Sequence, residues 1–301
     1  MLECPRVATA ADRESLDRIG TYGRANKLPL LDTPLPDPTF ARVETPVTRR
    51  VRIILHYDGS GFHGWQIQPG VRTVQQELEA ALERLTTRPI RTAAAGRTDT
   101  GVHATGQVVS ADVPARWQPS DLRRALNAVL PDDIWVEDAA DAASDFHARF
   151  SATDRAYEYR LGLDERAASP FHRRTCWVMR DDVDPLLLDR CANLLLGEHS
   201  FRSFAATGQE ERGDRCTVYD SKWWEWPPLG LVYRVRANRF LHHMVRYLVG
   251  TMVDVGRGRR PLEDMARLLV NEAALPTSPP APPQGLFLTG VGYPPEAVRG
   301  S

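Results

Sequence analysis

Lysine is almost missing from this 301-residue chain. Of 38 basic residues only Lys27 and Lys222 are lysine, and the other 36 are arginine. The bias reflects codon composition and is not by itself a sign of phosphate binding. Cysteine is also sparse, at four: Cys4, Cys176, Cys191 and Cys216. None lies in a CxxC pair or at metal-finger spacing, which excludes a disulfide scaffold and a zinc ribbon. They read as buried thiols in a reducing compartment, so a cytoplasmic location is expected. No run approaches the ~20 apolar residues of a membrane span. Residues 1–10 lack the basic start and apolar run of a secretory signal. Net charge is nearly absent too, at -1, which excludes a globally basic protein. What remains is ordinary globular usage, 42% apolar and 26% charged, at a length that suggests about two domains.

Charge is uneven along the chain. Residues 231–260 hold seven arginines and one acid, Asp254, whereas residues 131–146 hold six acids and no base. A polyanion-binding cleft on a near-neutral protein would show such asymmetry, and so would solvated charge clustered by chance.

Residues 1–50 carry Pro29, Pro34, Pro36, Pro38 and Pro46 and little apolar periodicity. They read as an N-terminal extension, largely disordered, with a short helix near residues 13–19. From residue 51 the pattern becomes regular. Val51, Ile53, Leu55 and Tyr57 alternate as in a strand. Thr73 and Gln76 form a capping-box pattern before a helix whose apolar face is Val74, Leu78, Ala81, Leu82 and Leu85. Strands at 90–95 and 107–113, a helix capped by Ser120, and a strand at 134–137 follow. The order β-α-β-β-α-β over residues 51–145 predicts an α+β sandwich of the ferredoxin or RRM type. Residues 146–297 give a second, less tidy half. Its strands are at 155–163, 175–179, 215–226, 231–237 and 285–293. One helix opens at Asp184-Pro185 and closes at Gly197; another covers 240–255, and a short one starts at Pro261. Trp224 and Trp226 fall on one strand face and Trp223 on the other, and because the arginine cluster lies elsewhere they read as core packing or a subunit interface rather than an RNA-stacking platform.

The most unusual stretch is Gly96-Arg-Thr-Asp-Thr-Gly-Val-His103, a turn between strands with glycines bracketing Arg97 and Asp99. A carboxylate beside a guanidinium would stay ionised and could act as nucleophile or base. A plain hairpin turn with a surface ion pair would read the same.

This stretch resembles the Gly-Arg-Thr-Asp-x-Gly-Val-His signature of the tRNA pseudouridine synthase A family. Further counterparts occur in family order: Tyr57-Asp-Gly59 with Gly64-Trp-Gln66, Thr73-Val-Gln75, Phe146-His-Ala-Arg-Phe-Ser-Ala152 with Tyr157, Leu196-Gly-Glu-His-Ser-Phe-Arg-Ser-Phe204, Phe240-Leu-His-His-Met-Val-Arg246 and Pro283-Gln-Gly-Leu286. They span residues 51–293.

The resemblance implies two RRM-like halves in a pseudouridine synthase fold, with a central antiparallel sheet and a basic cleft. It implies isomerisation of uridines 38 to 40 in the anticodon arm of tRNA, by a homodimer, without a cofactor. Asp99 falls at the family's catalytic aspartate, and its first act is either attack on the ribose C1′ or removal of the C2′ proton. Arg97 is the expected partner of Asp99 and a candidate to fill the vacated stack. Tyr157 falls at the tyrosine whose ring stacks on the flipped uracil, with a hydroxyl that could move the C5 proton. Arg246 is expected to pair with Asp99 or a phosphate. His242 and His243 read as structural or RNA-facing, and His103, His242 and His243 lack a metal-ligand pattern. The extension before residue 51 is long for the family, and Tyr247 stands where a polar residue is usual. The alternative is a non-catalytic tRNA-binding protein that retains the fold. A phosphate-binding or hydrolytic reading fails, because Asp58-Gly-Ser-Gly lacks the Walker spacing and its lysine, and Ser60 has no oriented histidine.

Overall fold

Strand alternation sets the first element of the computed structural model, which describes residues 47–206, 213–272 and 275–298. The chain divides into two units, Met1–Thr45 and Pro46–Ser301. The described residues belong to the second. The helix expected near residues 13–19, and all of the extension before residue 47, lie outside them.

In β1 (Thr48–Tyr57) Val51, Ile53, Leu55 and Tyr57 are buried, while the residues between them are half-exposed. Two helices cover the buried face. These are α1 (Val74–Thr86), through Val74, Leu78, Ala81 and Leu82, and α2 (Pro119–Val129), through Leu122 and Leu126. Between and after them come β2 (Thr92–Ala94), β3 (His103–Pro114) and β4 (Ile134–Asp141). The expected β-α-β-β-α-β order is observed.

The second half supplies β5 (Asp154–Gly162), β6 (Trp177–Val178), α3 (Pro185–Asn193), β7 (Gly197–Ser200), β8 (Arg215–Trp226), β9 (Gly230–Ala237), α4 (Met244–Gly256), α5 (Glu263–Leu269), β10 (Leu286–Gly292) and α6 (Pro295–Val298). Among the described residues all strands join one ten-stranded sheet, in the order β4-β1-β3-β10-β5-β9-β8-β7, with β2 on β3 and β6 on β5. Pairing is antiparallel except β10 with β3 and β6 with β5. The fold is α+β, as expected.

The join between the halves makes the site. One edge of β3 is shared: β2 pairs Val109 to Ala111, and β10 pairs only His103 and Ala104. Between them the sheet forks. Gln107, fully buried, fills the fork by donating to the Gly96 carbonyl at 2.7 Å and to the Tyr57 hydroxyl at 3.3 Å. Tyr157 on β5 packs against the interior clusters of both halves.

Several expected boundaries differ for local reasons. Thr73 forms no side-chain cap, and its Oγ1 is buried without a partner. The carbonyls of Gly64 and Trp65 accept from Val74 and Gln75 instead, so the 64–65 turn caps α1 with backbone. Ser120 lies inside α2. Gln118 is its N-cap, and Pro119 at the first helical position sets the start. Helix α3 ends at Asn193, and Gly197 opens β7. Helix α4 begins at Met244 rather than residue 240, because His243 is left-handed at φ +63°. Strand 175–179 shrinks to two residues, and strand 134–137 extends to Asp141.

Trp223 is buried, and Trp224 is exposed under Lys222, whose Nζ sits 4.6 Å from the ring centroid. Cys176, Cys191 and Cys216 are free and buried. Burial pushes Cys191 and Cys216 up to about 12 and about 11, so they are unreactive thiols. No helix among the described residues is long and apolar enough to cross a membrane.

Candidate active site

Residues 95–101 leave β2 and must return to β3 across the fork. Three contacts fix their path. Tyr57 Oη meets Thr98 Oγ1 at 2.8 Å, Trp65 N–H donates to the Thr98 carbonyl at 3.0 Å, and Val102 N–H donates to the Asp99 carbonyl at 3.1 Å. The approach of the 64–65 turn needs glycine at 64, where φ is +86° and a Cβ would lie 2.6 Å from the Thr98 oxygen. The segment is therefore an anchored loop, and it delivers Asp99 to the wall of a cleft of about 1230 Å³. Pockets for small molecules span roughly 300–1,000 Å³, so this cleft suits something larger.

The Asp99 side chain is 23% exposed, open enough for a ligand to reach. Three side chains from the start of α4 surround it. His243 Nε2 lies 3.3 Å from Oδ2, His242 Nε2 lies 3.5 Å from Oδ1, and an Arg246 guanidinium nitrogen lies 3.7 Å from Oδ2. The left-handed His243 allows this, because it turns residues 240–243 out of the helix and both imidazoles toward the carboxylate, with ring centroids 3.9 Å apart. Burial, with repulsion from His242 and Arg246, holds the His243 pKa below its ordinary value despite the pull of Asp99. Asp99, His242 and His243 are also spaced closely enough to hold a metal ion.

Arg246 is held from behind. Its Nε donates to the Ala281 carbonyl at 2.7 Å, and Ala281 N–H donates back to the Arg246 carbonyl at 2.9 Å. The proline loop that carries Ala281 is itself pinned. Tyr159 Oη donates to the Pro282 carbonyl at 2.8 Å, and Arg260 donates to the Pro276 carbonyl and Ser278 Oγ.

Tyr157 lines the same cleft as the histidines. Its ring meets Phe240 edge-on at 4.9 Å, and its hydroxyl would lie 3.6 Å from a Cβ on Gly96. Burial pushes its pKa up to about 12, with Asp99 raising it and Arg155 opposing. The phenol is therefore protonated near neutral pH, and it makes no hydrogen bond among the described residues.

Three of the four expected site residues come together: Asp99, Tyr157 and Arg246. Arg97 lines the same cleft but is exposed, and it forms no ion pair with Asp99. In place of the expected Arg97–Asp99 pair, Asp99 is met by Arg246 and the histidines. The expected arginine cluster is also divided. Arg239 and Arg246 line the cleft together with Arg97, Arg149 and Arg155. Arg257 and Arg259 pair with Asp181, and Arg260 pairs with Asp264. The acids of residues 131–146 are largely matched as well, Asp133 with Arg72 and Asp138 with Arg52. Sequence reasoning missed Gln107 in the fork, the histidine pair beside Asp99, and Phe150, 70% exposed on the cleft rim.

The model for tRNA pseudouridine synthase matches residues 53–151 and 191–294. The chain belongs to the tRNA pseudouridine synthase family. Its relatives include proteins named tRNA pseudouridine synthase A. That of Methylacidiphilum infernorum is 39% identical over 81% of this chain and 96% of its own length. That of Chlorobium limicola is 42% identical over 81% of this chain and 100% of its own. That of Neisseria gonorrhoeae strain NCCP11945 is 41% identical over 84% of this chain and 95% of its own. Among solved structures, an archaeal box H/ACA Nop10–Cbf5 complex aligns at 12% identity and a TM-score of 0.32, over 66% of this chain and 44% of the other; a likeness that low carries no argument. Membership of the synthase family gives the cleft its context. The motif at residues 96–103 lies on the anchored loop, and the matched segment 191–294 contributes His242, His243, Arg246 and the proline loop.

Proposed function

We propose that the chain isomerises uridine to pseudouridine in tRNA, at positions 38 to 40 of the anticodon arm, as a cytoplasmic homodimer without a cofactor. The observation that carries the reading is the Asp99 carboxylate, held on an anchored loop in a cleft lined by five arginines. The chain's two halves are residues 51–145 and 146–297 after an extension of residues 1–50, with the first strand of the first half starting within that extension at Thr48.

The target uridine is stacked in the arm and must be turned out, at a cost of a few kcal/mol. Arg149 and Arg239 on the cleft wall meet the backbone phosphates, and Arg97 meets them or enters the space the base leaves. The uracil then lies on the Tyr157 ring, with its ribose toward Asp99. The carboxylate attacks C1′ or takes the C2′ proton, and either act requires an approach of about 3 Å. The glycosidic bond to N1 breaks, the uracil turns within the cleft, and C5 bonds to C1′ as the bond from C1′ to Asp99 opens or as C2′ regains its proton. C5 then loses its proton and N1 gains one, so the product is an isomer of the substrate. Arg246 positions the carboxylate, and the protonated Tyr157 hydroxyl serves the uracil as a donor. Its high pKa makes it a poor base for the C5 proton.

The test is Asp99→Asn, which keeps size and hydrogen bonding and removes the charge. The variant is expected to form no detectable pseudouridine while tRNA binding is largely kept, as read by product assay and filter binding. Turnover near wild type would remove Asp99 from the chemistry.

A further inference from the structure

The three side chains at the head of the cleft have a second chemical capability. A tetrahedral zinc site has bonds of about 2.0–2.2 Å to nitrogen and oxygen, so its donors stand about 3.3–3.5 Å apart. The His243 Nε2 to Asp99 Oδ2 and His242 Nε2 to Asp99 Oδ1 separations are 3.3 and 3.5 Å. The three donor atoms all lie within 4.8 Å of one another. Both imidazoles present Nε2 to the carboxylate, and their rings lie side by side with centroids 3.9 Å apart. The Asp99 and His242 side chains are 23% and 47% exposed, so an ion can enter and a fourth position stays open to the cleft.

We propose that Asp99, His242 and His243 form a binding site for zinc or a similar divalent transition metal, and that the bound ion inhibits the enzyme by occupying Asp99. Two nitrogens and one oxygen suit a borderline ion such as Zn²⁺ and do not suit Mg²⁺, which prefers oxygen and its own waters. The Arg246 guanidinium 3.7 Å from Asp99 opposes the added charge. The site is therefore weaker than a closed structural one, and the ion leaves to a chelator. The binding half stands on geometry alone. The inhibitory half rests on the proposed role of Asp99.

The experiment uses the untagged full chain. Zinc chloride is titrated by calorimetry, and cobalt chloride by the visible absorption of a tetrahedral site. One equivalent should bind, and each of His242→Gln and His243→Gln should weaken it by roughly tenfold or more. His242 is the more exposed of the pair, so its variant controls for folding, with thermal melts alongside. Magnesium chloride should neither bind there nor displace cobalt. Zinc should inhibit isomerisation, and excess tRNA or chelator should restore it. No binding, or binding unchanged in both variants, overturns the site. Binding without inhibition, in an enzyme that Asp99→Asn abolishes, overturns only the inhibitory half. An active Asp99→Asn enzyme overturns the proposed catalytic role and leaves the metal site to the binding data.

Discussion

Tyr157 meets the interior of both halves with its body and the cleft with its hydroxyl, so a substitution there has two separable effects. Tyr157→Phe keeps the ring and the edge contact with Phe240. Because the phenol is protonated near neutral pH, its loss should remove one donor and leave most of the turnover. Tyr157→Ala removes the stacking surface, worth about 1–3 kcal/mol per base, or roughly 5- to 150-fold in rate. Single-turnover assays with thermal melts distinguish the cases. A Phe variant that binds tRNA and stalls after glycosidic cleavage would restore the hydroxyl to the C5 proton transfer. An Ala variant that only melts earlier would make Tyr157 a packing residue. At this scale the sequence was informative where the chemistry is contiguous. Asp99 lies inside an eight-residue motif, but its neighbours His242, His243 and Arg246 are more than 140 positions away. Nothing in Arg97-Thr-Asp99 shows that Asp99 is met by Arg246 and the histidines rather than by Arg97.

Elements were legible where periodicity decided them and misread where backbone replaced side chain. The alternation of β1 and the apolar face of α1 held, while the Thr73 cap gave way to the carbonyls of Gly64 and Trp65. The start of α4 was misplaced because nothing in Phe240-Leu-His-His marks a left-handed residue. His103 shows how an element is tied to its neighbours. It opens β3 almost fully buried, accepts from Gly59 N–H through Nδ1 at 3.1 Å, contacts the Arg174 carbonyl through Nε2 at 3.1 Å, and stacks on Phe287 at 4.6 Å. With Nδ1 accepting, the neutral ring carries its proton on Nε2 and donates it to that carbonyl. Burial lowers its pKa below 6.5, despite the Asp58 carboxylate 3.3 Å away. The folded state thus resists a proton that the unfolded chain accepts. This contribution to stability is complete above the unfolded value near 6.5 and is lost as pH falls below it. Denaturant unfolding from pH 7.5 down to 5 should show the decline, and His103→Gln should flatten it. An identical pH dependence in the variant would show that other groups cause it.

At the scale of the whole molecule, the two halves share one sheet and the cleft lies where it forks. Sequence order could not reveal this, because β10 comes last in the chain and inserts between β3 and β5. Charge density misled for a related reason. The arginines of residues 231–260 are close in sequence, but folding sends Arg257, Arg259 and Arg260 to Asp181 and Asp264, while Arg97, Arg149 and Arg239 from three distant segments gather around the cleft. The second group is placed to neutralise phosphates of an RNA in the cleft. Each phosphate contact releases counterion, so affinity should fall steeply with salt. Replacing one contacting arginine should lower the log–log salt slope by about one. Filter binding of tRNA across a salt series is expected to show a reduced slope for Arg97→Gln and again for Arg97→Gln with Arg149→Gln. The slope should be unchanged for Arg257→Gln with Arg259→Gln, which also releases Asp181 from its pairs. If the Arg257 and Arg259 variant flattened the slope and the cleft variants did not, the RNA would lie along the far end of α4, and the cleft could not be where its phosphates are held.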